Sequence, residues 1–289
     1  MIEFDAECLM CQMKRQVDAA RAYGDDERAM AFAHDLMRMY LDAPKEVASP
    51  WFTRQIDILM HKHYDLPEDR YAEEKELSNR FVLERMDQIR SRVVNAPDPV
   101  YAGLQIAILG NYIDFSALQG QISFEALDEM LDQAAQMELD RDTFDRMCRE
   151  LEQGKKLLYL TDNAGEIGFD RIFAEAIAQR WPHLDITFCV RGGNIINDAT
   201  RVDAAVMGIP FPVIDNGNRV AGTIEELLGQ EAKDALNRAD VIIAKGQANA
   251  ETMLGCGRNV YYAFLVKCIR FQRTFNKPKF TPMLVAERR

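Results

Sequence analysis

Long apolar runs are missing from this chain. Hydrophobic residues make up 48% of its 289 positions, yet no run approaches the roughly 18 residues that a membrane-spanning helix needs. The opening MIEFDAECLMCQMKRQ also lacks the basic flank and apolar centre of a secretory leader. The protein is therefore expected to be soluble, unprocessed and cytoplasmic, with no membrane partner. An excess of basic residues is missing too: 35 Lys and Arg stand against 46 Asp and Glu, a formal charge of −11. No segment concentrates the cations, which argues against a nucleic-acid partner. Histidine is scarce, with four in all and only His183 beyond residue 153, and a histidine-built zinc hydrolase centre is disfavoured accordingly. Of six cysteines only Cys8 and Cys11 are close in sequence; reduced thiols are expected, and a single CxxC is half of a tetrahedral zinc site. Neither the Walker spacing nor G-x-G-x-x-G occurs, so the two standard nucleotide-binding modes are disfavoured.

What is present divides the chain in two. From Ala6 to about Gln153 nearly every segment reads as helix. ERAMAFAHDLMRMYL and FEALDEMLDQAAQMELD repeat apolar residues at spacings of three and four, and Pro44, Pro50, Pro67, Pro97 and Pro99 punctuate the pattern. Six or seven helices are expected there. SFEALDEM carries its own start signal, with Ser123 as N-cap and Glu125 in the first turn, where the helix dipole favours acids. After Gly154 the texture changes to short runs, KLLYL, DITFCV, FPVI, DVIIAK, VYYAFLV and PMLVA. Such runs fit central strands covered on both faces by helices, as in an open, mostly parallel α/β sheet. The expected organisation is a helical region over residues 1–153 and an α/β region over 154–289, sharing one core because no flexible linker separates them.

In an open parallel sheet, ligands bind outside the carboxyl ends of the strands. After KLLYL comes TDNAGE; after DITFCV comes RGGNIINDAT; after DVIIA comes KGQANAE; after YYAFLV come Lys267 and Cys268. Asp162 and Asn163 are neighbours, so their oxygens converge only in a turn, which Gly165 makes easy. With Asp198 they would form a small hard-oxygen site suited to Mg²⁺ or Mn²⁺. A strand followed by Asp-Asn is also an ordinary helix cap; polar clusters at successive strand ends favour the ion site. Lys245, Gly246 and Asn249 form a plausible phosphate cradle, in which backbone N–H groups and an ammonium meet one anion.

In the helical half, GNYIDF places Asn111 and Asp114 three apart, on one face if the helix continues; alternatively Gly110 ends the helix. Cys8 and Cys11 lie on one face of a helix start, with burial, metal binding and redox chemistry all open. His61 and His63, two apart, point away from each other on a helix and read as surface residues.

TDNAGE, RGGNIINDAT, KGQAN and the Lys267-Cys268 pair, in this order after a helical half containing GNYIDF, resemble the metal-dependent damage-control phosphatases, formerly domain of unknown function eighty-nine. CLMC resembles the CxxC of the largely prokaryotic subfamily, and YAEEKELSN, with Lys75 and Asn79, resembles a further family segment. The resemblance implies a three-layer α/β/α sandwich with a helical accessory region. It implies a divalent cation held by Asp162, Asn163 and Asp198, and a substrate phosphate held by the stretch Lys245, Gly246, Gln247 and Asn249 and by Lys267. Glu166 corresponds to an acid that related members use, Asn197 precedes the last metal ligand, and both are candidate substrate contacts. Many relatives have proline where this chain has Asn194.

The expected function is hydrolysis of a small phosphorylated metabolite, with Asp162 and Asp198 as catalytic candidates. Mg²⁺ or Mn²⁺, or else Co²⁺ or Ni²⁺, would be the cofactor, and Asn111 and Asp114 would close the site or contact substrate. Two rivals differ in class: a non-catalytic metal or metabolite binder, organised by Cys8 and Cys11, and an S-adenosylmethionine-dependent methyltransferase, which calls for a glycine-rich first loop where this chain has Asp-Asn. The oligomeric state is left open.

Overall fold

The computed structural model describes residues 1–111 and 124–287. Helices α1 (Ala6–Tyr23), α2 (Asp26–Leu41), α3 (Thr53–His63), α4 (Ala72–Leu83), α5 (Met86–Val94), α6 (Pro99–Gly110), α7 (Phe124–Ala135) and α8 (Arg141–Gln153) precede the first strand. Several share one start signal: Asp5, Asp25, Asp98 and Asp140 each accept a first-turn backbone N–H, satisfying a donor the helix cannot. These eight exceed the expected number because α4 and α5 are separate. Arg85 N–H bonds to the Val82 carbonyl, tightening the last turn of α4 so that the chain bends away. The start signal at Ser123 lies outside the described residues.

The second half alternates β1 (Lys156–Leu160), α9 (Glu166–Arg180), β2 (Asp185–Val190), α10 (Arg201–Val206), β3 (Val213–Asp215), α11 (Gln230–Arg238), β4 (Val241–Lys245), α12 (Gly246–Met253), β5 (Val260–Leu265), α13 (Ile269–Phe275) and β6 (Pro282–Ala286). The sheet order is β3-β2-β1-β4-β5-β6, all parallel except β6. Strand side chains alternate between two buried layers, as a pleat requires. Leu157, Tyr159, Ile243 and Ala263 pack with α5, α6, α8 and α9, while Leu158, Leu160, Ile242 and Tyr262 pack with α11, α12 and α13. The fold is a three-layer α/β/α sandwich. Phe144, Met147 and Leu151, before residue 153, share the first cluster with the strands. By contrast α1 to α3 gather around their own cluster of Phe32, Leu36, Phe52, Ile56 and Met60.

The strand order reverses between β1 and β4, and α9 and α12, which follow them, lie on opposite faces. Their loops part there and leave a crevice, the place where open α/β sheets bind ligands. No helix among the described residues is long and apolar enough to cross a membrane. His63 is not a free surface residue: its Nε2 lies 2.9 Å from Asp35 Oδ2, so this half-buried imidazole ties α3 to α2.

Candidate active site

The loop after β1 and the loop before α10 are laced together by their backbones. Asn163 and Asp198 form an antiparallel bridge, the Ala164 N–H donates to the Asn197 carbonyl at 2.9 Å, and the Ala199 N–H to the Asp162 carbonyl at 2.8 Å. This lacing carries Asp198 across to Asp162 and Asn163, 36 and 35 residues earlier in the chain. Between them Ile196 takes a left-handed φ of 45°, a costly conformation for a β-branched residue and one that marks a constrained loop. The buried Arg191 braces the arrangement. Its Nε donates to Asp198 Oδ2 at 2.6 Å, and its other nitrogens donate to the carbonyls of Gly222 and Thr161.

Asp162 Oδ2 accepts from Asn111 Nδ2 at 2.7 Å and from Asn163 Nδ2 at 3.0 Å. Both amides also donate to Glu166 Oε2, at 2.9 and 2.8 Å. Asn111 is the C-cap of α6, so the helix ends at Gly110 rather than continuing; Asp114 lies outside the described residues. With its amide nitrogen turned to the carboxylates, Asn111 leaves its Oδ1 buried without a hydrogen-bond partner among the described residues. The carboxyl of Asp162 is pushed well above the usual carboxylate range, first by burial and then by the neighbouring charges of Glu166 and Asp198, against which Lys267 and Arg191 act.

Lys245 lies beneath this cluster. Its ammonium donates to Glu166 Oε1 at 2.7 Å, Asp170 Oδ1 at 2.6 Å and the Ala107 carbonyl at 2.7 Å. An ammonium has three donors, and all three are taken, so the phosphate contact expected of Lys245 is not open to it in this structure. Tyr159 also donates to Asp170 Oδ1, yet burial pushes Asp170 up to about 7. Asn249 is likewise committed. It donates to the carbonyls of Thr161 and Lys245 and accepts from Thr223 Oγ1, which fixes the start of α12 to the end of β1.

Gly246 has a φ of +78°, and a Cβ there would fall 2.0 Å from Asp162 Oδ2. The absent side chain is the space the carboxylate occupies. Beyond it Gln247 Oε1 accepts the Lys267 N–H, and Gln247 Nε2 donates to Glu251 and to Cys268 Sγ. Gln247 and Lys267 line a cavity of about 610 Å³ whose wall includes Cys8 and Cys11. Cys8 is half-buried and Cys11 exposed, so the CxxC is not a buried structural pair.

Taken together, the buried carboxyl groups at this crevice are Asp162, Glu166, Asp170 and Asp198, and the buried cations are Arg191 and Lys245. Four acids against two bases leave the buried groups with an excess of negative charge if all are ionised, which the half-buried Lys267, acting on the Asp162 carboxyl, offsets in part. Among the described residues no three Cys, His, Asp or Glu side chains would hold a metal by themselves. Asp162, Asp198 and the Asn163 amide would offer instead a hard-oxygen set that depends on water or substrate to complete it. It fits a magnesium-like ion in charge and chemistry.

A family model described as the damage-control phosphatase ARMT1-like domain matches residues 4–279. The chain belongs to this damage-control phosphatase family. Two relatives named as damage-control phosphatases, from Archaeoglobus fulgidus and Pyrococcus horikoshii, are each 31% identical to it, over 273 and 280 residues. The alignments cover 90% and 94% of this chain and 91% and 94% of the relatives. The crystal structure of a DUF89 family protein from Pyrococcus horikoshii has a TM-score of 0.87 at 25% identity, covering 100% of both chains.

In this member of the damage-control phosphatase family, three supporting residues escaped the sequence reading. Arg191 follows the apolar run DITFCV, and an arginine closing a buried strand is the signal that could have found it. Asp170 sits one helical turn beyond Glu166 and reads as an ordinary helix residue. Asp203 joins the two ligand loops through α4. Asn79 Nδ2 donates to Asp203 Oδ1 at 2.8 Å, while Asn79 Oδ1 accepts the Gly165 N–H at 2.7 Å. Lys75 lies 3.1 Å from the other Asp203 oxygen, which also caps α10 through the Thr200 N–H and hydroxyl.

Proposed function

We propose that this protein is a metal-dependent phosphatase that hydrolyses the phosphomonoester bond of a small phosphorylated metabolite. The observation that carries the proposal is the buried charge imbalance at the crevice, where buried carboxyl groups outnumber buried cations around Asp162, Asn163 and Asp198. A divalent ion (Mg²⁺, Mn²⁺, Co²⁺ or Ni²⁺) bound there would neutralise the acids and polarise a phosphoryl oxygen. Asp162 holds rather than attacks. Its Oδ2 is tied by two amides, leaving Oδ1 for ligand duty, and the nucleophile is assigned to water. Asn163 Nδ2 is engaged by Asp162 and Glu166, so its Oδ1 is the atom assigned to the ion. Lys267 and the first-turn N–H groups of α12, which a helix cannot pair within itself, receive the phosphate oxygens. Lys245 acts at one remove, by fixing Glu166 and compensating its charge.

The test is turnover of p-nitrophenyl phosphate after chelation. Hydrolysis is expected to vanish with chelator and return with one or more of the four ions. No metal-dependent hydrolysis across a broad phosphate panel would overturn the proposal and leave a metal-binding protein without turnover. Asn79→Ala is expected to raise the half-activating metal concentration by about tenfold, since groups that orient ligands typically carry that much affinity. The fold should persist, because Asn79 buries no large apolar surface; metal titration of the activity, with a thermal melt beside it, checks both parts.

A further inference from the structure

The cavity beside Gln247 and Lys267 differs in charge from the molecule around it. In a chain of net charge −11, the ionisable side chains lining this cavity are Arg15, Lys267, Arg270 and Lys279 on the basic side, and Glu7 and Glu251 on the acidic. Cysteines are left out of that comparison. The acids are partly spent: Glu7 pairs with Arg273, and burial pushes Glu251 up to about 7. Among the cations Arg270 is paired with Asp5 at 2.8 Å. Arg15 and Lys279 have no carboxylate partner among the described residues, and both are exposed.

Their places in the fold are defined. Cys8, Cys11, Gln12 and Arg15 recur at helical spacing, so one face of α1 forms the wall. Arg15 lies seven residues past Cys8, roughly 10 Å along the axis at about 1.5 Å per residue. Lys279 comes from the loop between α13 and β6, where Asn276 and Phe280 both take left-handed φ angles, 51° and 67°. Strain of that kind persists where the surrounding structure holds a segment in place. Lys267, by contrast, acts electrostatically on the Asp162 carboxyl and so marks the site end of the cavity.

We propose that the substrate is a phosphomonoester bearing a second anionic group, a carboxylate or another phosphate, remote from the phosphate that is hydrolysed, and that Arg15 and Lys279 receive it. The CxxC is then wall, with its sulfurs facing the substrate's carbon skeleton. This rests on the phosphatase reading for its kinetic test but not for its binding test.

The kinetic arm compares 6-phosphogluconate with glucose 6-phosphate, and fructose 1,6-bisphosphate with fructose 6-phosphate, on the metal-loaded full chain. The doubly anionic member of each pair is expected to have a kcat/KM about five- to tenfold higher, through KM, as two solvent-exposed charge-assisted contacts allow. Arg15→Gln/Lys279→Gln should erase that preference and leave p-nitrophenyl phosphate turnover unchanged. No preference in the wild type, or a preference that survives the double variant, overturns the proposal. The binding arm uses alkylation by N-ethylmaleimide at matched ionic strength, read by peptide mass spectrometry. Fructose 1,6-bisphosphate should slow modification of Cys11, inorganic phosphate should not, and Cys256, exposed at a different cavity, serves as internal control. Equal protection by both, or none, counts against the proposal. If no member of a broad phosphate panel is hydrolysed, the phosphatase reading fails by itself, and the alkylation result still decides on the anion site.

Discussion

Gly246→Ala is expected to abolish metal-dependent hydrolysis as completely as Asp162→Ala, each lowering kcat/KM by about 10³-fold or more. The size follows from the several kcal/mol that a bound metal contributes to transition-state stabilisation, at about 1.36 kcal/mol for each tenfold. The added methyl would sit 2.0 Å from Asp162 Oδ2 and 2.1 Å from its Cγ, so the carboxylate must leave the position in which Asn111 and Asn163 hold it. Backbone strain is a separate and smaller cost, since φ at Gly246 is +78° and a left-handed alanine costs about 1–2 kcal/mol. Gly257→Ala is the control. Its φ is +71° with nothing within 4 Å of the new Cβ, so it carries the strain without the clash. Steady-state hydrolysis and thermal melts on both variants separate the effects: a small drop in Tm for Gly257→Ala, a larger one for Gly246→Ala, and lost activity at Gly246 alone. Full activity in Gly246→Ala would remove Asp162 from the site as assigned.

The largest expected effect on stability is that of Lys245→Met. Its ammonium is fully buried between Glu166 and Asp170, and removing one partner of a buried ion pair typically costs about 3–5 kcal/mol because the remaining charge is left uncompensated. The loss depends on pH with a definite sign. Carboxyl groups deprived of their cation titrate higher in the folded state, so from about pH 4 upward the folded chain holds protons that the unfolded chain has released. More protons bound in the folded state means stability falls as pH rises through that window. Urea denaturation should therefore show a larger deficit against wild type at pH 8 than at pH 5. The variant Lys245→Met/Glu166→Gln/Asp170→Asn should recover most of the loss, whereas an equal deficit at both pH values would contradict the ion-pair account.

Much of this was open to reading along the chain. The runs KLLYL, DITFCV, VYYAFLV and PMLVA became β1, β2, β5 and β6 within a residue; for the inner strands β1, β2 and β5 the reason is that strands covered on both faces are written as unbroken apolar runs, while β6 is a half-buried edge strand. FPVI is the exception: the strand is the shorter Val213–Asp215 at the sheet edge, where proline and one-sided pairing limit its length. The cluster of Asp162, Asn163 and Asp198 was nameable because all three stand in loops that follow strands, Asp162 and Asn163 directly after β1 and Asp198 eight residues past β2. The duty of Lys245 was not. Sequence places a lysine beside a glycine turn, and whether its side chain rises to the ligand or turns down into the core depends on acids that α9 supplies 75 and 79 residues earlier.

The same division holds across the molecule. By itself the sequence determined the alternation of helix and strand, the parallel sheet and the edge at which chemistry gathers, because periodicity and strand-end polarity are local properties of the chain. Only the tertiary structure decided which charges remain unbalanced. Arg191 neutralises Asp198, Lys245 is shared by Glu166 and Asp170, and Asp162 is left to two amides and the space above Gly246. Electrostatic balance is a sum over groups that meet only when the chain folds, and its remainder is what a cation would answer.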